Sequence, residues 1–169
     1  MPPTEGPTTV EFRAAASQFA TGITVVTTTL HGVDHAMTVN SFTAVSLDPL
    51  LVLICAERST RFHDAVLSSR MWAVSVLPQT AQAAAAWLAT KGRPLEGQLD
   101  RIAHVRGPLT GAAVLLGSLS AFECETYSEH DGGDHTIVVG RVLGTSVDDR
   151  EAGPLVYHRG HYRRVVPFD

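Results

Sequence analysis

The eight residues from Ile23 to Leu30, with the sequence ITVVTTTL, restrict the fold more than any other part of the chain. All but the last are β-branched. Such side chains lose rotamer freedom in a helix and pack well on a pleated surface, so the run predicts a β-strand. The segment from His31 to Asp34 then contains a glycine and an aspartate, which indicates the turn of a hairpin.

Strand patterns continue through the rest of the chain, with helix patterns between some of them. Further strands are predicted twice within Ala36–Ala56, joined at Ser46–Pro49, and then at Met71–Leu77, Ser118–Tyr127, His135–Val147, Pro154–Tyr157 and Tyr162–Val166. Helices are predicted from the Thr8–Glu11 capping box to about Ala20, after Ser59 or Thr60, and from Pro78 to Leu88. Because the helices do not alternate regularly with the strands, we expect a mainly β fold with peripheral helices. A closed or half-closed antiparallel barrel fits this order better than a doubly wound parallel sheet.

The chain of 169 residues is long enough for one substantial core. We expect a flexible N-terminal tail over residues 1–8 and a single domain over residues 9–169. A net charge of -4 argues against a general nucleic-acid or membrane-surface binder, and no apolar run is long enough for a membrane helix. Cys55 and Cys124 both lie in apolar runs, so reduced core thiols and a cytoplasmic location are expected.

Several common catalytic motifs are absent from the sequence. It contains no G-x-x-x-x-G-K-[ST] loop, no G-x-G-x-x-G, no G-x-S-x-G elbow and no C-x-x-C pair. His158 and His161 flank a turn rather than sharing a face, so no metal site is expected.

Three polar stretches are candidates for a functional site, and each also has an ordinary structural interpretation. Within Ala36–Ala56, Asn40 is a poor strand former between Val39 and Phe42, which is typical either of a ligand-facing strand or of an edge strand. The segment Glu57–Arg61 offers hydroxyls, two guanidinium groups and a helix start, which suit a phosphate or a simple helix cap.

The third stretch runs from Gly132 to Gly140 and places a charged pair at the start of an apolar strand. Asp134 can set the tautomer of His135 and so orient a ligand. The alternative is a plain hairpin turn in which both side chains are solvated.

Four motifs in the same order resemble the flavin reductase family, over nearly the whole chain from Phe12 to about Arg163. They are TGITVVTT, MTVNSFTAVSLDPLLVLICA with ERSTR, GDHTIVVGRV and PLVYHRGHYR. The resemblance implies a split β-barrel of the FMN-binding type and a homodimer with flavin near the subunit interface. It also implies reduction of FMN or FAD by NADH or NADPH, with the reduced flavin supplied to a partner monooxygenase. A flavin-binding module, or a split-barrel FMN oxidase without flavin reductase activity, is the alternative.

The resemblance also implies roles for individual residues. Those expected along the isoalloxazine and ribityl chain are Thr38, Val39, Asn40 and Ser41, with Ser46 nearby. Those expected to receive the phosphate are Ala56, Glu57, Arg58, Ser59 and Arg61. His135 is expected beside the nicotinamide, with Asp134 next to it, and Tyr162 falls in the terminal G-x-Y near the cofactor site.

The most serious departure from the family pattern lies in one segment. Residues Lys91–Ile102 are shorter than the usual passage over the flavin, which leaves the choice between FMN and FAD open. Lys91, Arg93 and Arg101 are either contacts for a pyrophosphate or solvated loop charges.

Overall fold

The computed structural model describes residues 6–166, and most of the predicted N-terminal tail lies outside them. Helix α1 (Thr9–Ala16) begins at the predicted capping box, in which the Thr8 amide donates to Glu11 Oε2 at 2.8 Å. The helix ends at Ala16 rather than near Ala20. None of its residues is buried, so no packing extends it beyond its cap.

Within residues 6–166, twelve strands make up most of the regular secondary structure. They are β1 (Thr21–Gly22), β2 (Thr24–Leu30), β3 (Val33–Val39), β4 (Thr43–Leu47), β5 (Leu50–Glu57), β6 (Met71–Val76), β7 (His104–Arg106), β8 (Ala113–Leu115), β9 (Ser120–Gly132), β10 (His135–Val147), β11 (Leu155–His158) and β12 (His161–Arg164). Helix α2 (Arg61–Ser69) follows β5, and a 3-10 turn over Gln79–Ala81 leads into helix α3 (Gln82–Ala89). The prediction of a mainly β fold with peripheral helices is therefore confirmed.

Seven of these strands form one antiparallel sheet in the order β3-β2-β6-β9-β10-β5-β4. Strands β1, β11 and β12 form a second sheet, and β7 pairs with β8. Within residues 6–166 the edge strands β3 and β4 do not pair with each other, so the large sheet is not closed by hydrogen bonds.

The structure has more strands than the pattern predicted, because tertiary pairing overrides local turn signals. Residues Thr43–Leu47 form a separate strand that pairs with β5. The stretch between the strands predicted at Ser118–Tyr127 and at His135–Val147 is mostly strand, since β9 continues to Gly132 in register with β10. Only Gly133 and Asp134 remain as the turn, and Gly133 has a positive φ of 76°.

Two apolar clusters fill the interior. The first lies beneath α2 and includes Val26, Ile54, Phe62, Trp72 and Val138. The second lies beneath α3 and includes Val25, Leu77, Leu88, Leu99 and Leu155. The two clusters bury both faces of β2, where Val25 and Val26 point in opposite directions, and so account for its continuous β-branched run.

Both cysteines are free thiols, as predicted, and Cys124 is buried whereas Cys55 is half-buried. Burial, and then the nearby Glu123 carboxylate, raise the pKa of Cys124 to about 12. None of the helices in the described part of the chain has the length and apolar character needed to span a bilayer.

Candidate functional site

A cavity of about 270 Å³ lies along β3, bounded by the turn after β5, the start of α2 and the segment after α3. The side chains of Leu88 and Phe62 form part of its apolar wall. Its polar lining includes four residues of the predicted site, which are Thr38, Glu57, Ser59 and Arg61. The fold thus brings together residues from two of the three candidate stretches, with Thr38 of β3 close to the turn after β5.

The polar lining of the cavity carries more positive than negative charge. Arg61, Lys91 and Arg93 supply three cations, and Glu57 supplies one carboxylate. Glu57 Oε1 accepts hydrogen bonds from Ser59 Oγ at 2.6 Å and from Lys91 Nζ at 2.9 Å. The hydrogen bond from Ser59 and then that from Lys91 lower the pKa of Glu57. The carboxylate therefore stays charged and offsets one of the three cations.

The segment after α3 is tied to the outer edge of β3. Arg93 donates to the carbonyl oxygens of Ala36 and of Thr90, the latter at 2.9 Å. Gln98 Nε2 donates to the Asp34 carbonyl at 2.6 Å. Because no strand among residues 6–166 pairs with β3 on this side, these side chains satisfy backbone acceptors that a further strand would otherwise use.

Two nitrogen atoms in the cavity wall are buried without a hydrogen-bond partner among the described residues. They are His35 Nδ1 and Arg93 Nε. Burial, and then the neighbouring Arg61 charge, lower the pKa of both His35 and Arg93. An anion in the cavity would relieve these unfavourable cationic contacts, so the electrostatics of the cavity suit a phosphate.

Arg58 is directed away from this cavity and towards the hairpin between β9 and β10. Its Nη2 lies 2.6 Å from Asp131 Oδ1, and its Nε donates to the His135 carbonyl at 3.2 Å. Its amide donates to the Asp134 carbonyl at 3.0 Å. The Arg58 guanidinium therefore links the turn after β5 to the hairpin, whereas Arg61 faces the cavity.

His135 is the first residue of β10 and pairs in register with Glu57 at the end of β5. Its Nδ1 lies 2.7 Å from Asp134 Oδ1, and its side chain is 39% exposed. The third candidate stretch thus sits beside the turn that lines the cavity, although neither His135 nor Asp134 is part of the cavity wall.

The remaining predicted residues occupy other positions. The side chains of Val39 and Ala56 are buried in the first apolar cluster. Ser41 Oγ accepts from the Cys55 amide at 2.9 Å, and Ser46 Oγ accepts from the Asp48 amide at 3.2 Å. Asn40, by contrast, is exposed. The polar stretch after β3 is therefore divided between hydroxyls that support the backbone and an amide that faces outwards.

Tyr162 lies in β12, away from the cavity wall. Its ring packs edge-on against Tyr157 with the ring centroids 5.5 Å apart. Burial, and then the neighbouring Tyr157, raise the pKa of Tyr162. The structure therefore gives this side chain a packing role in the smaller sheet.

Sequence reasoning missed several residues of the cavity. His35 and Gln98 line it, but each is one polar residue in a stretch that shows no motif. Lys91 and Arg93 line the cavity, whereas Arg101, weighed with them, does not. No cluster of three or more His, Cys, Asp or Glu side chains suited to a metal ion occurs within residues 6–166.

Comparison with known proteins gives the class to which this fold and cavity belong. The family model described as "flavin reductase like domain" matches residues 16–166. The chain therefore belongs to the flavin reductase family.

Individual members of the family are similar over most of their length. The reductase subunit HsaB of a flavin-dependent monooxygenase from Rhodococcus jostii is 36% identical over 156 residues, which is 92% of this chain and 77% of HsaB. An NADH-dependent FAD reductase from Streptomyces globisporus is 36% identical over 160 residues, covering 94% of this chain and 86% of that protein. The crystal structure of BorF, the flavin reductase component of a bacterial two-component tryptophan halogenase, superposes with a TM-score of 0.88. Its sequence identity is 42%, and the match covers 95% of this chain and all of BorF.

Proposed function

We propose that this protein is an NAD(P)H-dependent flavin reductase that transfers hydride from a nicotinamide to FMN or FAD. The observation that carries the proposal is the cationic cavity, in which Thr38 of β3 meets Ser59 of the turn after β5 and Arg61 at the start of α2. The NADH-dependent FAD reductase relative supports NADH and FAD as the first substrates to test.

The phosphate end of the flavin is assigned to the cavity beside the N-terminus of α2. Arg61 and Ser59 line it, and the Thr60 cap leaves the first amides of α2 near its mouth. In this assignment Lys91 and the Glu57 turn contribute to the same anion site. Arg58 and the Ala56 backbone support that turn.

The isoalloxazine and ribityl chain are assigned to the segment from Thr38 to Ser41. Asn40 presents an exposed amide there, while Val39 holds the segment in the core. Ser41 fixes the segment to β5, and Ser46 stabilises the following turn. Tyr162 supports the site through the smaller sheet rather than by direct contact.

His135 positions the nicotinamide. The bound flavin supplies the hydride-accepting ring, so the reaction requires no protein acid or base. The protein must instead hold the two rings in close, aligned contact. Asp134 accepts from His135 Nδ1 and thereby directs Nε2 outwards as the group available to a ligand.

The proposal also covers the domain architecture, the cellular location, the oligomeric state and the partner of this protein. We assign the chain, over residues 9–169, to a single split-barrel domain of the FMN-binding type, which acts in the cytoplasm. A homodimer is supported by apolar side chains on the exposed β4–β5 edge, where Leu47 is 87% and Leu50 is 52% exposed. A flavin-dependent monooxygenase is the proposed recipient of the reduced flavin, as the name of HsaB suggests.

The test is anaerobic mixing of the protein with each flavin and each reduced nicotinamide, followed by the visible absorbance of oxidised flavin. Protein-dependent bleaching with at least one pair is expected, and the panel also gives the preferred flavin and nicotinamide. Flavin binding without bleaching by NADH or NADPH would instead favour a flavin-binding module.

A further inference from the structure

The imidazole of His63 joins α2 to β10 through two hydrogen bonds. Its Nε2 lies 2.9 Å from Thr136 Oγ1, and its Nδ1 lies 2.9 Å from Asp64 Oδ1. The His63 side chain is 12% exposed, and Thr136 is 6% exposed. The Thr136 contact is therefore largely shielded from water, whereas Asp64 is at the surface.

For the neutral imidazole, the chemistry of the partners defines the direction of both bonds. A carboxylate only accepts, so the hydrogen of the neutral imidazole lies on Nδ1 and is donated to Asp64. His63 Nε2 is then an acceptor, and the Thr136 hydroxyl donates to it. The whole chain of bonds is satisfied in a single tautomer of His63.

The hydrogen bond between His63 and Thr136 connects the two halves of the proposed site. His63 is the third residue of α2, and its amide donates to the Thr60 carbonyl at 3.2 Å, next to the cavity-lining Arg61. Thr136 directly follows His135 in β10. The His63 ring therefore bridges the anion-binding turn and the residue assigned to the nicotinamide.

The hydrogen bond between His63 and Thr136 is important for His135 because Thr136 lies near the end of the pairing between β10 and β5. The His135–Glu57 pair is the first pair between β10 and β5, and the next is Thr136–Ala56. The ends of a ladder open more easily than its centre. A side-chain bond at the second pair limits that opening from the interior, while Arg58 limits it at the surface.

We propose that His63 is a positioning residue that, through Thr136, holds His135 at the correct place relative to the anion-binding turn. The inference rests on the proposed function, since it requires His135 to contact the nicotinamide. It assigns no contact with either substrate to His63 itself. Loss of the hydrogen bond between His63 and Thr136 should therefore lower kcat/KM for the reduced nicotinamide while leaving flavin affinity unchanged.

The test compares substitutions that remove the hydrogen bond between His63 and Thr136 with substitutions that preserve it. Thr136→Val keeps the shape of the side chain but removes the hydroxyl, and His63→Asn is too short to accept from Thr136. We expect each to lower kcat/KM for the reduced nicotinamide by about tenfold through misplacement of His135. Thr136→Ser and His63→Gln retain a donor and an acceptor at the two positions and should restore most of the activity.

A matched control separates positioning from general loss of stability. Thr126 is a buried threonine of β9 whose hydroxyl accepts from Trp72 Nε1 at 3.1 Å, far along the ladder from His135. Thr126→Val removes one buried hydrogen bond, as Thr136→Val does. Both variants should lose thermal stability, but only Thr136→Val should lose kcat/KM.

The outcomes distinguish this inference from the proposed function. Wild-type protein that binds flavin but does not reduce it would overturn both. Active wild-type protein with unchanged kcat/KM in Thr136→Val, or with an equal loss in Thr126→Val, would overturn the inference alone. If Thr136→Val fails to fold, equal activity of His63→Asn and His63→Gln would also overturn it.

Discussion

Lys91 Nζ lies 2.9 Å from Glu57 Oε1, so an ion pair joins the segment after α3 to the turn after β5 across the mouth of the cavity. The same oxygen accepts from Ser59 Oγ at 2.6 Å. Two donors that a phosphate would use are thus already engaged by a carboxylate. In the proposed phosphate site, Glu57 would therefore compete with the phosphate for these two donors.

This competition predicts that Glu57→Gln binds FMN more tightly than the wild type does. Removing one negative charge a few ångströms from a phosphate is worth about 1 kcal/mol at the protein surface, or roughly fivefold in affinity. Fluorescence titration measures the effect, and riboflavin, which lacks the phosphate, is the control ligand. An equal change for riboflavin and FMN would show that the effect does not arise from the phosphate.

Asn40→Ala should weaken flavin binding more than it weakens folding. The Asn40 side chain is exposed, so its removal costs the folded protein little. Ser41→Ala is the contrasting variant, because it removes the acceptor of the Cys55 amide and should cost about 1 kcal/mol in the free energy of unfolding. Flavin titration and thermal denaturation of both variants check the pair of expectations. Unaltered flavin affinity in Asn40→Ala would exclude the amide from the site.

His135→Ala should raise the apparent KM for NADH, or lower the rate of hydride transfer, while flavin affinity stays nearly constant. The reason is that the imidazole is assigned to the nicotinamide and not to the flavin. Stopped-flow recording of flavin bleaching under anaerobic conditions measures the apparent KM for NADH and the rate of hydride transfer. His130→Ala is the control, since His130 is an exposed histidine of the same hairpin that bonds to Ser128. An unchanged kcat/KM in His135→Ala would remove His135 from the site.

The lowered pKa of His35 predicts that the free energy of unfolding depends on pH. Burial and then the Arg61 charge hold the pKa of His35 below its usual value of 6.5. As the pH falls through that value, the unfolded chain takes up a proton before the folded protein does, so the free energy of unfolding decreases. Between about pH 7 and about pH 5 the wild type should lose more stability than His35→Gln. Equal losses in denaturant melts of the two proteins would contradict this expectation.

The close packing of Gly140 against Trp72 predicts that the first apolar cluster has no room for a side chain at position 140. A Cβ added at this position would lie 2.3 Å from Trp72 Cζ2, and Trp72 is fully buried. Gly140→Ala should therefore reduce the free energy of unfolding by about 1 to 3 kcal/mol. Gly22→Ala, where an added Cβ meets nothing within 4 Å, is the control and should be nearly neutral. Similar melting temperatures for the two variants would mean that Trp72 moves easily.

The local elements of this protein are encoded in short stretches of sequence. The β-branched run of β2, the Thr8 capping box and the Thr60 cap of α2 each depend on neighbouring residues, and each element is present where it was predicted. The family motifs predict site residues on the turn after β5 and at His135, and Glu57, Ser59 and Arg61 line the cavity. The strand and the two helix starts follow from backbone propensity and capping, which act over a few residues, whereas the site residues were implied by the family resemblance.

Only the tertiary structure decided which side of each motif faces the cavity. Arg58 and Arg61 are equivalent as cations in the sequence, yet pairing of β5 with β10 turns Arg58 to Asp131 and leaves Arg61 in the cavity. The bond between His63 and Thr136 spans 73 residues, and neither residue carries a local signal of the contact. Such contacts depend on strand register and helix packing, which are set by burial of the whole core rather than by any single segment.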